Sequence, residues 1–547
     1  MVKPLGGSSA AIEGQLTQAL NEAVLQASEL KVVDSRLLLR EIARHVAALP
    51  KLPPGTPMDT ETAILAEVAR LRRLPPDELE LLARKYTDPE PLFAALDALD
   101  GTATLILRAS WLKTLRPEQG DRLPKRGDPL PPEAVITVKE LREITAATRW
   151  DESNGRGCMN ALPVIALSHF WRTKEHPDPD GETLALVVKA LNENWNDFQD
   201  NDGDERILGV GELGVLIDWC ALYQSPRSEE EQRVFGQALK GINLWYAHKG
   251  TTVWLVTAGT DRVKGLGYWD KGWTSFEFAL TMVIKVANFS RVADWPQVLD
   301  LGADGTYAQA TRARPPPTEP LAFCGGHEHG ARTYTNGADR DAIVAPTFRQ
   351  TMFELLAGAA VLDFSGLNWM DEGVVQLCVV LPLCVQLERL NLWGNKVGDV
   401  GAAALAEWLS SSPPKLTTLS LQSQQSAKRI WEHKIGDEGA AALAGALRAN
   451  SVLQVLGLGD NKIGDQGAAA LAEVLKVNSA LTTLYLGGNV VGDEGAAKLA
   501  GALEVNSVLH KLELGRNEIG EEGGAALTHA LKVNSVAGRS CWPPKYT

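Results

Sequence analysis

Leucines and an asparagine recur every 28 residues along the last third of the chain. The asparagines stand at Asn461, Asn489 and Asn517 in the frame Leu-x-x-Leu-x-Leu-x-x-Asn-x-x-Gly-x-x-Gly-Ala-Ala, with Gly524 in place of the first Ala of the last copy. The leucines alternate as in a short strand, and the Ala-rich segment has the spacing of a helix. One unit cannot bury its own leucines, but stacked units can. The pattern therefore predicts an α/β solenoid with parallel strands on the concave side and helices outside.

The array extends upstream of these three copies. Asn395 stands in the same frame, and a degenerate unit before it has Leu367 where the asparagine would be. The 66 residues between Asn395 and Asn461 are two periods plus roughly ten residues. We therefore predict one further unit, with His433 at the asparagine place, and an insertion near Gln424–Trp431. The array then holds about six units.

Two polar positions of the repeat have predicted structural roles. Each asparagine is predicted to turn its amide inward and to satisfy backbone groups where the chain bends. Asp437, Asp465 and Asp493 precede the Ala-rich runs, and each is predicted to cap the free N–H groups of the helix that it begins.

The hydrophobic spacing differs in the rest of the chain. From residue 10 to about residue 97 it is typical of helices, with Pro-rich breaks. Between residues 163 and 301, apolar runs predict strands at Val164–Leu167, Val215–Ile217 and Thr252–Val256, and amphipathic segments predict helices at Glu182–Trp195, Glu229–Ala247 and Trp273–Phe289. This alternation predicts a parallel sheet with right-handed crossovers, covered on both faces.

The predicted fold class is therefore α/β, in five regions. They are an N-terminal helical region (1–110), a linker or irregular segment (111–160), an α/β domain (161–305), a second linker (306–350) and the repeat solenoid (351–540).

Composition limits the classes of partner. The 547 residues carry a net charge of −14, so no basic surface for nucleic acid or for an anionic membrane is expected. Six cysteines without a framework spacing are expected to be reduced thiols. The longest apolar run, Val374–Val385, is too short and too interrupted to span a membrane. We expect a cytoplasmic protein.

The α/β segment also contains three characteristic short sequence blocks. Ala166–Trp171 reads Ala-Leu-Ser-His-Phe-Trp, Leu216–Gln224 reads Leu-Ile-Asp-Trp-Cys-Ala-Leu-Tyr-Gln, and Gly272–Glu277 reads Gly-Trp-Thr-Ser-Phe-Glu. In this order they resemble three blocks of the fungal heterokaryon-incompatibility (HET) domain, which is similar to TIR domains, some of which cleave NAD. The resemblance implies that Glu277 is the catalytic carboxylate and Trp273 the aromatic residue before it. NAD is then a candidate substrate.

In an open parallel sheet, ligands bind beyond the carboxyl ends of the strands. Ser168, Trp171 and Asp218 follow such ends, so with Trp273 they are the candidate cofactor-binding residues. Asp218 would hold a ribose hydroxyl, and the tryptophans would stack on a nicotinamide or adenine ring. The structural alternatives stay open: a surface carboxylate in the first helical turn for Glu277, a turn cap for Asp218 and core packing for the aromatic residues.

The 28-residue unit resembles the ribonuclease-inhibitor type of leucine-rich repeat found in NOD-like immune receptors. Such receptors add a nucleotide-binding module with a Gly-x-x-x-x-Gly-Lys-Ser/Thr loop. This chain contains no such sequence, so a nucleotide-driven switch is not expected.

Two clusters suggest metal sites but lack the full ligand pattern. Cys324, His327 and His329 could begin a zinc site, yet no fourth ligand is near in sequence. The acidic run Asp200–Asp204 has no usable carboxylate at the first and twelfth positions of a calcium loop. No metal is predicted.

Side chains between the strand leucines are predicted to face the concave side of the solenoid, where such proteins bind partners. Aromatic and arginine side chains dominate binding energy at interfaces. The candidate protein-binding residues on this side are Arg389, Trp393, Gln422, Tyr485, Glu513 and Arg516, and the inserted loop adds Arg429 and Trp431 at the same rim.

The preferred hypothesis is an interaction and signalling protein, with repeats that bind a protein partner and a HET/TIR-like effector that the resemblance links to defence or cell death. The alternative is an NAD-cleaving hydrolase that the repeats regulate. Self-association stays open.

Overall fold

A computed structural model of the protein describes the following residues: 60–147, 162–173, 175–193, 195, 211–257, 268, 271–285, 298–301, 307–309, 314–318, 320, 323, 340–411, 413–423 and 434–534.

Short helices precede and flank the first sheet. They are α1 (Thr60–Leu71), α2 (Pro76–Lys85), α3 (Glu90–Asp97), α4 (Ala109–Leu112) and α5 (Val138–Ala147). α2 and α3 each carry a proline in the first turn, where the missing N–H would have no partner within the helix. α3 buries Leu92, Phe93 and Leu96.

A six-stranded sheet lies at the centre of the middle region. Its strands are β1 (Leu107–Arg108), β2 (Val164–His169), β3 (Gly214–Leu216), β4 (Thr252–Val256), β5 (Val298–Leu301) and β6 (Tyr307–Gln309), in the order β1-β3-β2-β4-β5-β6. β3, β2, β4 and β5 are parallel, whereas β1 and β6 pair antiparallel at the two edges. The parallel strands predicted from the apolar runs are confirmed. The antiparallel edges were not predicted.

Both faces of this sheet are covered, as expected for parallel strands. Val164 and Ala166 of β2 belong to one apolar cluster, and Ile165 and Leu167 belong to the cluster on the other face. The covering helices include α6 (Glu182–Glu193), α7 (Asp218–Ala221), α8 (Glu229–Leu239), α9 (Ile242–Ala247) and α10 (Gly272–Thr281).

The prediction of one helix over Glu229–Ala247 was wrong, because the segment forms two helices that are separated at Gly241. A Cβ at Gly241 would lie 3.1 Å from that of Ala95. The chain therefore turns where a residue without a side chain permits this close approach.

The C-terminal solenoid begins after α11 (Ala345–Gly358). Its strands are β7 (Val361–Asp363), β8 (Arg389–Asn391), β9 (Thr418–Ser420), β10 (Val455–Gly457), β11 (Thr483–Tyr485) and β12 (Lys511–Glu513). Its helices are α12 (Asp371–Val380), α13 (Asp399–Ser410), α14 (Asp437–Leu447), α15 (Asp465–Leu475), α16 (Asp493–Val505) and α17 (Glu521–Val533). The strands are parallel and stack in chain order.

The central strand leucines form one buried row through the solenoid. In register they are Leu362, Leu390, Leu419, Leu456, Leu484 and Leu512, and each is at most 1% exposed. The predicted stacking is confirmed. The row holds because each leucine is covered by its neighbours in the adjacent units.

The repeated asparagines bind backbone groups, as predicted, and these bonds also join consecutive units. Asn489 Nδ2 donates to the carbonyl oxygens of Leu486, in its own unit, and Leu458, one unit earlier, at 2.8 and 2.9 Å. Its Oδ1 accepts from Ile463 N at 3.0 Å. The other members with this pattern are Asn395, Asn461 and Asn517.

A second asparagine ladder was not predicted. Its members follow the helices: Asn450, Asn478, Asn506 and Asn534. The amide of Asn478 donates to Leu447 O at 2.7 Å, at the end of the previous helix, and its oxygen accepts from Ala480 N and Leu481 N. The unit is thus fastened to its neighbour at both ends of the helix.

The prediction that each aspartate caps its own helix was wrong. Asp465 Oδ1 accepts from Gly492 N at 2.7 Å and Gly495 N at 2.8 Å, and both amides belong to the next helix, α16. The helix that Asp465 begins has no side-chain cap at its own N-cap, Gly464. Asp371, Asp399, Asp437 and Asp493 show the same relation. Stacking places the carboxylate beside the next helix N-terminus, where its charge is also favourable.

The solenoid packs directly on the α/β domain. The buried guanidinium of Arg314 donates to Met282 O, Val283 O and Lys285 O beyond the end of α10, and to Asp363 O of β7. Burial lowers the pKa of Arg314 to about 9. α11 spans the predicted boundary at residue 350 between the second linker and the solenoid. Its Glu354 accepts hydrogen bonds from Lys85, the last residue of α2, and from Tyr86, the residue after it, both at 2.6 Å.

Among the described helices, none combines the length and the apolar character that crossing a membrane requires.

Candidate functional site

A cavity of about 530 Å³ opens beside the carboxyl ends of β2 and β3. Four of the five residues predicted for catalysis or cofactor binding line it: Trp171, Asp218, Trp273 and Glu277. Its position agrees with the rule that ligands bind beyond the strand ends of parallel sheets.

Glu277 is buried, at 7% exposure, in the second turn of α10. The alternative of an exposed first-turn carboxylate is therefore wrong. Its Oε2 accepts a hydrogen bond of 2.6 Å from Ser168 Oγ. Burial raises the pKa of Glu277 well above its ordinary value, the Ser168 bond opposes this rise and the negative charge of Asp218 adds to it.

Ser168 lies behind Glu277, fully buried at 0% exposure. Its Oγ is also 2.5 Å from the hydroxyl of Tyr268, so a chain of hydrogen-bonding groups leads from Tyr268 through Ser168 to Glu277. Ser168 is placed to orient the Glu277 carboxyl group rather than to line the cavity.

Asp218 begins α7, directly after β3. Its Oδ2 accepts from Trp171 Nε1 at 2.9 Å, and its Oδ1 accepts from Trp219 N at 2.6 Å. Asp218 does bind a neighbouring backbone amide, as the turn-cap alternative expected, but it also lines the cavity. The Trp171 ring packs edge-on against Trp219, with centroids 5.3 Å apart.

Trp273 is half-buried in the first turn of α10. Its ring meets Phe276 edge-on at 5.6 Å while it also lines the cavity. The aromatic side chains thus combine core packing with a surface on the cavity, and neither role excludes the other.

The sequence reasoning missed three cations of the cavity wall, Lys125, Arg227 and Lys271, all half-buried. Lys125 comes from the segment predicted as a linker, and its ammonium group lies 5.9 Å from the Trp219 ring centroid. Arg227 follows α7, and its guanidinium lies 3.5 Å from the Phe235 ring centroid. No local motif marks these residues, because only the fold brings them together.

The described residues contain no cluster of three or more His, Cys, Asp or Glu side chains placed to hold a metal ion. Cys324, His327, His329 and the run at 200–204 lie outside the described residues.

Six of the eight predicted protein-binding residues are described, and they lie on or just after the strands of the solenoid. Arg389 and Arg516 are exposed, whereas Trp393, Gln422, Tyr485 and Glu513 are half-buried. Arg429 and Trp431 lie outside the described residues.

Two of these side chains are engaged within the solenoid itself. Glu513 accepts from Gly487 N and Gly515 N, at 3.0 and 3.1 Å. Gln422 lies against Gly457, where an added Cβ would come within 3.1 Å of the side chain. These contacts within the solenoid reduce what each side chain can offer a partner.

The C-terminal half of this face carries a charged and aromatic group. Lys511 Nζ donates to Tyr485 OH at 3.2 Å and lies 4.7 Å from the Tyr485 ring centroid. Arg516 pairs with Asp460 at 3.3 Å, across the intervening unit. Arg516 and Asp460 both have positive φ, 59° and 57°. They stand at the repeat position that Gly394, after β8, and Gly488, after β11, occupy in other units. Side chains kept in this strained region are common at functional sites.

One comparison with known proteins identifies this region. The sequence model described as "Leucine Rich repeat" matches residues 384–406, 449–472, 477–500 and 505–527. The C-terminal region consists of leucine-rich repeats. Repeats of this kind indicate a protein-interaction function for the region. The match does not extend to the α/β domain, whose likeness to HET and TIR domains stays a prediction.

No curated protein matches this chain. Among solved structures, "Leiomodin-1 Actin-Binding Site 2 (ABS2)" is similar over 26% of this chain and 78% of that one, at 21% identity and a TM-score of 0.23.

Proposed function

We propose that the leucine-rich repeats bind a protein partner on the concave face and that the HET/TIR-like α/β domain acts as the effector, in a cytoplasmic signalling protein of defence or cell death. The observation that supports partner binding is the row of six parallel solenoid strands and the side chains on it. Six parallel strands present an extended surface with exposed Arg389 and Arg516 and a half-buried Trp393 and Tyr485. These are the residue types that dominate binding energy at interfaces.

The test compares recovery of partner proteins by full-length wild type and by single variants. Trp393→Ala and Tyr485→Ala remove the aromatic candidates, while Lys498→Ala on the exposed outer surface of α16 is the matched control. Loss of more than 2 kcal/mol is typical of a hot-spot residue, which is roughly a thirtyfold weaker complex. Equal recovery by all three variants would count against the concave face.

A second candidate function, cleavage of NAD by the α/β domain, is favoured by the cavity. A carboxyl group, aromatic rings and cations meet there in one space. A carboxylate beside the breaking nicotinamide–ribose bond would stabilise the ribosyl cation of the transition state, as in glycoside hydrolysis. The cations fit the pyrophosphate charge.

Burial raises the pKa of Glu277 well above its ordinary value and so favours the neutral form of the carboxyl group. The positive nicotinamide ring would favour the ionised form, because an opposite charge nearby lowers the pKa of a carboxyl group. Binding of NAD would thus favour the charge that the reaction uses. A neutral ligand of the same shape would not.

The test is release of nicotinamide by full-length protein, at low and high protein concentration so that self-association can occur. Glu277→Gln keeps the shape of the side chain and should abolish release, whereas Glu229→Gln, exposed on α8, should not change it. No release by wild type under either condition would eliminate the hydrolase and leave the interaction proposal intact.

A further inference from the structure

His169, the last residue of β2, has a buried polar atom without a partner. The residue is 5% exposed and lines the cavity. Its Nε2 makes no hydrogen bond within the part of the chain that the structure describes. Buried polar atoms of folded proteins are nearly always paired, so such an atom at a cavity wall points to a ligand group.

Asp218 supplies the complementary atom. Its Oδ1 lies 3.9 Å from His169 Nε2, which is too long for a direct hydrogen bond. Oδ1 already accepts from Trp219 N, but a carboxylate oxygen can accept a second hydrogen bond. With the proton on His169 Nε2, a donor on one side and an acceptor on the other flank a gap that is not bridged.

We propose that His169 and Asp218 together bind a hydroxyl group of a sugar, with the hydroxyl oxygen accepting from His169 Nε2–H and the hydroxyl proton donated to Asp218. A hydroxyl is the group that donates and accepts at one atom. Lys125, Arg227 and Lys271 on the same cavity wall match an anionic group on that ligand. The ligand class is a phosphorylated ribose, and this inference rests on the proposed nucleotide-cleaving role of the cavity.

His169 is a specificity residue in this scheme, distinct from Glu277. Trp171 Nε1 holds Asp218 Oδ2 and so leaves Oδ1 directed to the gap. Loss of the imidazole donor removes one hydrogen bond to the ligand, and it affects only ligands that carry the hydroxyl.

The experiment measures binding by calorimetry with full-length protein carrying Glu277→Gln, so that no ligand is consumed. The probes are NAD and the analogue that lacks both hydroxyls of the nicotinamide ribose. His169→Phe keeps a flat ring without the donor, and His169→Gln keeps an N–H donor. We expect His169→Phe to weaken NAD binding by about tenfold and to leave binding of the analogue unchanged. His169→Gln should restore part of the lost NAD affinity.

The outcomes separate this inference from the function on which it rests. The hydroxyl role is overturned if the His169-intact protein binds NAD and His169→Phe weakens the binding of NAD and of the analogue equally, or weakens the binding of neither. The cavity then remains a nucleotide site. If the His169-intact protein binds neither probe, the nucleotide role fails and the inference fails with it. Circular dichroism and thermal unfolding show whether each variant is folded.

Discussion

Replacement of Asp465 by alanine tests how the repeats hold one another. The Asp465 carboxylate accepts from Gly492 N and Gly495 N of the following helix at 2.7 and 2.8 Å, and both bonds are lost in Asp465→Ala. Loss of a helix cap costs about 0.5 to 2 kcal/mol, and the partly buried charged acceptor places this case toward the upper end. We expect about 1.5 kcal/mol of local destabilisation.

The position of that loss is the decisive observation. Gly464 and Gly467, at the start of the helix that Asp465 begins, are held by Asp437 and keep their bonds in the variant. Hydrogen exchange followed by mass spectrometry should therefore show faster exchange in peptides that contain Gly492 and Gly495, and little change in peptides that contain Gly464 and Gly467. A loss of 1 to 2 kcal/mol corresponds to roughly 5- to 30-fold faster opening.

Asp465→Asn is the matched control, because it keeps the acceptor oxygen and removes the charge. It should show a smaller effect at the same peptides. If the faster exchange appeared instead at Gly464 and Gly467, or equally along the whole solenoid, the cap between units would be refuted. Faster exchange confined to α15 would support the prediction that Asp465 caps the helix that it begins.

Burial raises the pKa of Glu277, so the contribution of this carboxyl group to stability is complete below its unfolded pKa of about 4.5 and is lost as pH rises through its folded pKa. Glu277→Gln should therefore gain in thermal stability over wild type between pH 5 and pH 8. A difference that did not change with pH would contradict this. Gly467→Ala should destabilise by about 1 to 3 kcal/mol in chemical denaturation, since its Cβ would lie 2.7 Å from Asp437 Oδ1. The control Gly501→Ala, with open space around it, should be neutral or stabilising. Arg314→Met should cost roughly 3 kcal/mol, because it leaves buried carbonyl oxygens without a donor; limited proteolysis that found the junction of β7 and the α/β domain as resistant as in wild type would oppose this.

The repeat could be predicted from the sequence in unusual detail because its determinants are local. A leucine at alternate positions and an asparagine at a fixed distance specify a strand and a bend in every unit, and the buried leucine row and the asparagine bonds agree with them. The aspartates show where this reasoning stops. Gly464 and Gly492 both neighbour an aspartate in sequence, but the carboxylate that reaches each of them belongs to the unit before.

The candidate site was predictable only in part. Strand ends that follow apolar runs directed attention to Trp171 and Asp218, and the family resemblance directed it to Glu277. Lys125 was not selected, because a lysine in an irregular segment carries no local signal, whereas His169 stands at the same strand end as Ser168 and could have been found from that position. The cavity brings together side chains from well-separated segments.

The sequence by itself determined the period, the strand and helix of each repeat and the alternation of the α/β domain, because these depend on which side chains within one segment must avoid water. Only the tertiary structure decided which unit each aspartate caps, that Glu277 is buried with a raised pKa, and that Arg314 fastens the solenoid to the α/β domain. Those outcomes depend on distances between segments that are remote in sequence, which packing sets and residue order does not show.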